Sequence, residues 1–202
     1  MRQAVSDAFP SFTASFEGYV HSMYRDVKGL VTVGVGNLID PIATAMNLPW
    51  CHGGDPSNPA DDDAIEKGWN AVKSMPPALS WTAYQGITDL RLTSQAIDQL
   101  VRTKCAENEA DLCQRIGNWA LLPADAQLGV LSMAWACGPW FNFPKFMAAI
   151  KMADYVTCIV ECRMDETGNP GLVPRNRANA ALFAAAANLG NGDQDVIHGW
   201  SP

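Results

Sequence analysis

The sequence has 202 residues, enough for one large domain or two lobes, and 48% of them are hydrophobic, which permits a sizeable core and argues against disorder. Only 17% are charged, and 21 acidic against 14 basic side chains give a net charge of −7. Such a chain lacks the basic surface of a nucleic-acid-binding protein and gains no electrostatic attraction to an anionic polymer or membrane.

The N-terminal stretch MRQAVSDAFPSF lacks the continuous apolar segment of a secretory signal. No apolar run approaches the ~20 residues that a membrane span needs. We therefore expect neither a signal peptide nor a transmembrane segment. The six cysteines include no Cys-x-x-Cys pair, so a metal site is disfavoured. Scattered buried thiols are the favoured interpretation, and one or two disulfides remain open for a protein that works outside the cytosol.

The N-terminal third of the chain predicts a helix followed by a hairpin. Phenylalanines at positions 9, 12 and 16 recur at helical spacing, which predicts a short helix over residues 9–17 that stops at Gly18. Valines then alternate at positions 31, 33 and 35 after the turn-like DVKG, which predicts a β-hairpin with Asp26 near its turn. Residues 40–60 are rich in proline and glycine and are predicted to be mainly loop.

The rest of the chain predicts helices. Residues 61–75, DDDAIEKGWNAVKSM, have acids in the first turn and are followed by the helix-breaking PPALSW. Residues 92–116 are predicted to form one long helix that links two lobes. Shorter helices are predicted in DAQLGVLSMAWAC, FPKFMAAIKM and DYVTCIVECRM, and an alanine-rich helix in LVPRNRANAALFAAAANLG ends the pattern.

Glu17, Asp26 and Thr32 are the candidate catalytic residues. A glutamate partly buried at a helix end would hold a proton near neutral pH, whereas an aspartate on an exposed turn would stay ionised. Cleavage of a glycosidic bond needs such an acid and base, and a threonine hydroxyl could hold the attacking water. On spacing alone, an ordinary helix end, turn and strand explain the three residues somewhat better, because paired carboxylates are common.

A family resemblance changes this balance. The pattern EG…Y-x-D-x-x-G-x-x-T-V-G-V-G, from Glu17 to Gly36, resembles the catalytic signature of the bacteriophage lysozyme family, glycoside hydrolase family 24. That family has E-x8-D-x5-T within a helix followed by a hairpin, and the three candidate residues match it without a gap. AQLGVLSMAWACG resembles the family's central helix of the C-terminal lobe, and GLVPRNRANAALF resembles its GL-x-x-R-R segment. The three segments cover about half of the chain in the family's order.

The resemblance implies one lysozyme-like domain over residues 1–202, of the α+β class and predominantly helical, with two lobes. Residues 1–90 would form the N-terminal lobe, with the hairpin and an insertion. Residues 91–202 would form the linking helix and the helical C-terminal lobe.

The resemblance also implies a muramidase, which hydrolyses the β-1,4 bond between N-acetylmuramic acid and N-acetylglucosamine. Glu17 would protonate the leaving oxygen, and Asp26 would activate a water that Thr32 positions, with inversion at the anomeric carbon. No cofactor and no metal are implied.

Three further residues are candidates for binding substrate. Leu38 and Trp135 align with an apolar and an aromatic residue of the family's cleft, although both positions are equally compatible with a core. Arg177 belongs to the arginines near the end of the family pattern. The sequence departs from that pattern at Asn37, where the family usually has histidine, and at Asn179, where glutamate is common.

Residues 40–90 are longer than the family's usual segment between the lobes and match nothing in it. They contain Trp50, Trp69 and Trp81. Tryptophan stacks well on sugars, but a core-facing position is the commoner case and is favoured here. We expect the insertion to pack beside the cleft and to shape substrate access without supplying a catalytic group.

Two other functions stay open. A lytic transglycosylase shares the fold but needs only the glutamate, so Asp26 and Thr32 speak against it. A non-catalytic wall-binding or virion protein would keep the scaffold without turnover. We expect a monomer whose partner is bacterial peptidoglycan, with no nucleic acid bound. It would be either a phage endolysin, held in the host bacterial cytoplasm before it acts in the periplasm or cell wall, or a secreted antibacterial effector with an immunity protein.

Overall fold

The computed structural model describes residues 1–201, which form a mostly helical α+β structure. The helices are α1 (Gln3–Glu17), α2 (Ile42–Met46), α3 (Asp62–Ser74), α4 (Ser94–Arg115), α5 (Ala124–Cys137), α6 (Pro144–Lys151), α7 (Tyr155–Glu161) and α8 (Leu172–Asn188). The strands are β1 (Val20–Arg25), β2 (Val31–Gly34), β3 (Asn37–Leu38), β4 (Cys51–His52) and β5 (Leu90–Arg91). Short 3₁₀ helices cover Trp81–Tyr84 and Trp119–Leu121.

One of the two compact units of the chain is Glu17–Val101. Its main sheet is antiparallel, in the order β1-β2-β3. Thr32 at the centre of β2 pairs with Tyr24 of β1 and with Leu38 of β3. The predicted hairpin is confirmed, and all four residues of β2 are buried.

The insertion adds α3 and a small sheet to this unit. Asp61 caps α3 by accepting a hydrogen bond from the N–H of Ala64 at 2.8 Å, and acids in the first turn complement the helix dipole. The predicted helix is thereby confirmed. The sheet of β4 and β5 was not predicted, because strands of two residues have no readable periodicity.

The tryptophans of the insertion divide into two kinds. Trp50 and Trp69 are 2% and 8% exposed, and their indole N–H groups donate to the carbonyls of Ala45 and Ile39 at 2.9 and 3.0 Å. The core interpretation is confirmed for these two residues. It is wrong for Trp81, which is 42% exposed in the first 3₁₀ helix.

The other unit is Met1–Phe16 together with Arg102–Pro202. The expected division after residue 90 therefore needs a correction, because most of α1 groups with the C-terminal part of the chain. Arg2 explains why, since its Nε donates to the carbonyl of Leu122 and its backbone N–H to Oε1 of Gln127, both at 2.7 Å. The predicted start of α1 at residue 9 was also late, because the first turns contain little apolar periodicity.

The core of this second unit surrounds α5. Every residue from 124 to 134 is buried, including the charged Asp125. The Asp125 carboxylate accepts hydrogen bonds from the N–H of His198, at 3.0 and 3.1 Å, and of Gly199, at 2.7 Å. The C-terminal segment is thus fastened to the central helix through a buried charge.

Helices α4 to α8 follow their predicted positions, and α5 ends before Gly138 as expected. The short helix α2 was not predicted, since it lies in residues 40–60, which were expected to be mainly loop. All six cysteines are free thiols, of which Cys113 and Cys137 are exposed. Within the described residues, no helix combines the length and the apolar character needed to cross a membrane.

Replacement of Asp125 by alanine will lower the free energy of unfolding by about 1–3 kcal/mol, because the N–H groups of His198 and Gly199 lose their acceptor. Urea denaturation measures the change. The matched control is Glu107→Ala, which removes an exposed carboxylate from the same unit and should leave the denaturation midpoint almost unchanged. Equal midpoints for the two variants would contradict the assigned role of Asp125.

Candidate functional site

Glu17 is the last residue of α1. Gly18 follows in the left-handed region, with φ of +80°, so the chain leaves the helix there and enters β1 at Val20. The predicted helix stop is confirmed. The expectation of a partly buried glutamate is wrong, because the end of the helix leaves the Glu17 side chain exposed.

Asp26 directly follows β1 and organises the turn of the hairpin. Its Oδ1 accepts hydrogen bonds from the N–H groups of Lys28 and Leu30, both at 2.9 Å, and its own N–H donates to the Leu30 carbonyl at 3.0 Å. The expectation of an exposed aspartate is therefore wrong. Asp26 is half-buried, because the turn folds over its carboxylate. Its Oδ2 accepts no hydrogen bond from any residue in the described part of the chain.

The same turn requires glycine at position 29. Gly29 has φ of +76°, and a Cβ there would lie 2.8 Å from Nη2 of Arg25. The Arg25 guanidinium comes this close because Nε and Nη2 donate to the Gly29 carbonyl at 3.1 and 3.0 Å. A side chain at position 29 would displace the arginine and strain the turn that holds Asp26.

Thr32 lies opposite Tyr24 and Leu38 in the sheet, and residues paired across antiparallel strands share one face. Thr32 is 4% exposed, whereas Leu38 is 51% exposed. The Thr32 hydroxyl donates to the Leu30 carbonyl at 3.3 Å. Because its proton is used in that bond, the Thr32 oxygen is left as an acceptor on the face that it shares with Leu38.

Tyr24 is influenced by the charges of both carboxylates. Burial, and then the negative charges of Glu17 and Asp26, raise the pKa of Tyr24 to about 12. Both carboxylates therefore lie within electrostatic reach of one phenol. In addition, a Cβ at Gly36 would lie 4.0 Å from Oε2 of Glu17, so this carboxylate reaches the turn between β2 and β3.

The structure thus brings Glu17, Tyr24, Asp26 and Thr32 together in one unit, with Leu38 beside Thr32. We name the first four residues the hairpin cluster. Sequence reasoning missed a role for Tyr24, although the tyrosine is part of the matched pattern. Its spacing could have indicated this, because Tyr24 precedes Asp26 by two residues and so lies at the end of β1, next to the turn.

Asn37 stabilises the turn between β2 and β3. It is 8% exposed, and its Oδ1 accepts a hydrogen bond from the N–H of Val35 at 3.2 Å. The position where the resembled family has a histidine is therefore occupied by an uncharged side chain with a backbone partner.

The other two substrate-binding candidates belong to the second unit and are not part of the hairpin cluster. Trp135 is half-buried on α5, with its ring edge-on to Phe9 at 5.5 Å between centroids. Arg177 is exposed on α8. Arg175 lies two residues earlier on α8 and is 1% exposed, and its guanidinium lies 4.7 Å from the Phe16 ring centroid.

Among residues 1–201, no group of three or more histidine, cysteine or acidic side chains is arranged to hold a metal ion. Comparison with known proteins does not assign a family: no protein-family model matches the chain, and no curated protein matches it.

The hairpin cluster has the groups that general acid–base chemistry needs. Glu17 is exposed to an incoming substrate, Asp26 is oriented through Oδ1 with Oδ2 left for another partner, and Thr32 offers an acceptor oxygen. Tyr24 remains a hydrogen-bond donor at neutral pH, because its pKa is about 12.

The charges of the cluster can be tested without any substrate. Glu17→Gln and Asp26→Asn should each lower the pKa of Tyr24 from about 12, but leave it above 10.0, because burial is the largest cause of the shift. The ring ¹³C shift of labelled tyrosine, followed against pH, measures the change. Tyr19 is the control, since burial and Asp98 raise its pKa to about 12 without either carboxylate. An unaltered Tyr24 titration in both variants would show that neither carboxylate lies within electrostatic reach of it.

Proposed function

We propose that the protein is a muramidase, which hydrolyses the β-1,4 bond between N-acetylmuramic acid and N-acetylglucosamine in bacterial peptidoglycan. The observation that carries the proposal is the hairpin cluster, in which Thr32 pairs with Tyr24 across the sheet and the carboxylates of Glu17 and Asp26 lie within electrostatic reach of the same tyrosine. The three residues also have the order and spacing of the bacteriophage lysozyme signature. The periplasm or cell wall is the proposed place of action, because the substrate is there.

Glu17 is the general acid in this proposal. It stands at the exposed end of a helix, where the glycosidic oxygen of a long polymer can approach its carboxyl group. Proton donation to that oxygen makes the departing sugar a better leaving group, and catalysis of this kind contributes ~10²–10⁴-fold to the rate.

Asp26 and Thr32 hold the attacking water. A water that donates one hydrogen to Oδ2 of Asp26 and the other to Oγ1 of Thr32 would have its oxygen directed away from the hairpin, towards the sugar. Oδ1 of Asp26 is already occupied by two backbone N–H groups, and the proton of Thr32 by the Leu30 carbonyl, so each side chain presents one oriented acceptor. Attack from the side opposite Glu17 inverts the anomeric carbon, which requires ~6.5–9.5 Å between the two carboxyl groups.

Tyr24 is a neutral phenol within electrostatic reach of both carboxylates. With a pKa of about 12 it keeps its proton throughout the physiological range and adds no charge of its own. Leu38 offers an exposed apolar surface next to Thr32, suited to the hydrophobic face of a sugar ring. Trp135 and Arg177 remain proposed substrate contacts of the second unit.

Glu17→Gln should reduce turnover of purified peptidoglycan by ~10²–10⁴-fold, because the amide keeps the shape of glutamate but cannot donate the proton. The matched control is Glu66→Gln, on the exposed surface of α3 in the same unit, which should retain full turnover. Release of reducing sugar measures both variants, and thermal melting verifies equal folding. A Glu17→Gln variant within a few-fold of the wild type would rule out the proposed acid.

Asp26 and Thr32 should behave as one functional unit around a single water. Asp26→Asn keeps an acceptor for the N–H groups of Lys28 and Leu30 but removes the base, and Thr32→Val keeps the strand but removes the hydroxyl. The combined loss of turnover in the double variant should be far smaller than the product of the two single losses. Strictly multiplicative losses would mean that the two residues do unrelated jobs.

A further inference from the structure

A charged pair outside the hairpin cluster binds the turn that carries Asp26. Lys73, in the last turn of α3, donates from Nζ to the Gly29 carbonyl at 3.0 Å and to Oδ2 of Asp40 at 2.5 Å. Asp40 follows the hairpin, is 15% exposed, and accepts a hydrogen bond at the same Oδ2 from the N–H of Val31 at 3.1 Å. The pair thus holds two backbone groups of the turn.

These two backbone groups belong to the peptide planes on either side of Leu30. In the first plane, the Gly29 carbonyl accepts from Lys73, while the Leu30 N–H donates to Oδ1 of Asp26. A peptide group is planar and rigid, so the orientation of its carbonyl fixes the orientation of its N–H. Lys73 therefore helps to fix the direction of the Leu30 N–H that holds Asp26.

The second peptide plane joins Leu30 to Val31. Here the N–H group faces the charged pair and the carbonyl faces the hairpin cluster, the reverse of the first plane. The Val31 N–H donates to Asp40, while the Leu30 carbonyl accepts the hydroxyl proton of Thr32. Asp40 therefore fixes the acceptor that orients Thr32. Each plane has one end on the charged pair and the other end on a residue of the hairpin cluster.

Arg25 and the end of α3 strengthen the same contact. The Gly29 carbonyl accepts from Nε and Nη2 of Arg25 as well as from Lys73, and Nη1 of Arg25 donates to the Met75 carbonyl. Positive charge on a carbonyl polarises its peptide group and strengthens the hydrogen bond that the attached N–H makes. The Lys73 hydrogen bond also lowers the pKa of Asp40, so the Asp40 carboxylate stays charged at neutral pH.

We propose that Lys73 and Asp40 are positioning residues, which orient Asp26 and Thr32 through the two peptide planes that flank Leu30. The catalytic part of this inference rests on the proposed function. It gives the insertion a second role beyond substrate access, because α3 supplies Lys73. Neither residue touches substrate in this arrangement.

Lys73→Met is the primary test, since methionine keeps the unbranched apolar part of the side chain and removes the charged amino group. We expect kcat on purified peptidoglycan to fall at least about tenfold with little change in KM, because misplacement of reacting groups reduces turnover more than binding. Lys73→Arg, which can still donate to Gly29 and Asp40, should restore most of the turnover. Lys67→Met, at an exposed position of the same helix, is the control and should behave as the wild type.

Backbone hydrogen exchange measures the positioning itself. The Leu30 and Val31 N–H groups should exchange at least about tenfold faster in Lys73→Met than in Lys67→Met, while the N–H groups of β1 keep their rates. An inactive wild-type protein would overturn the proposed function and the catalytic part of this inference, whereas the exchange rates would still decide whether the pair orients the turn.

Unchanged exchange and unchanged kcat in a folded Lys73→Met variant would overturn the inference. If Lys73→Met does not fold, Asp40→Asn takes its place, because asparagine keeps an acceptor for the Val31 N–H while the ion pair is lost. The same two readouts apply to it, with faster exchange of Leu30 expected and an unchanged rate contradicting the proposal.

Discussion

The hydrogen bonds of the two peptide groups beside Leu30 are the constraint on which the candidate site depends. On one side, these two peptide groups make hydrogen bonds to Asp26 and Thr32. On the other side, they make hydrogen bonds to Lys73 and Asp40. This arrangement gives the spacing of the matched pattern a local physical reason. The aspartate must reach the N–H four residues ahead, and the threonine must reach the carbonyl two residues back.

The two carboxylates differ in exposure, and the order is the reverse of the one that the sequence suggested. Glu17 is exposed at a helix end, whereas Asp26 is enclosed by its own turn. Two carboxyl groups in different surroundings can take different roles in one reaction. Here the enclosed carboxylate is the one whose geometry is fixed, which suits the residue proposed to hold a small water molecule. The exposed one suits the residue proposed to meet a polymer.

The sequence could predict the parts of the fold and site that depend on near neighbours. Helices with several turns of periodicity, such as α3 and α4, and the alternating valines of the hairpin were recognisable, and so was the spacing of the catalytic candidates. The two-residue strands β4 and β5 were not, since so few residues carry no pattern. Lys73 could not have been found either, because its partner Gly29 is 44 positions away and such contacts depend on the folded chain. The expected partial burial of Glu17 was wrong for the same reason, since the exposure of a side chain also depends on the folded chain.

Digestion of purified peptidoglycan by the wild-type protein in ¹⁸O-labelled water, followed by mass spectrometry of the released muropeptides, tests the proposed hydrolysis most directly. Hydrolysis by a water held at Asp26 and Thr32 must place one labelled oxygen at the new reducing end of N-acetylmuramic acid. Anhydro-muropeptides without the label would show a transglycosylase that uses only the glutamate, and the absence of any soluble product would show a wall-binding protein without turnover. Either result would contradict the proposed muramidase.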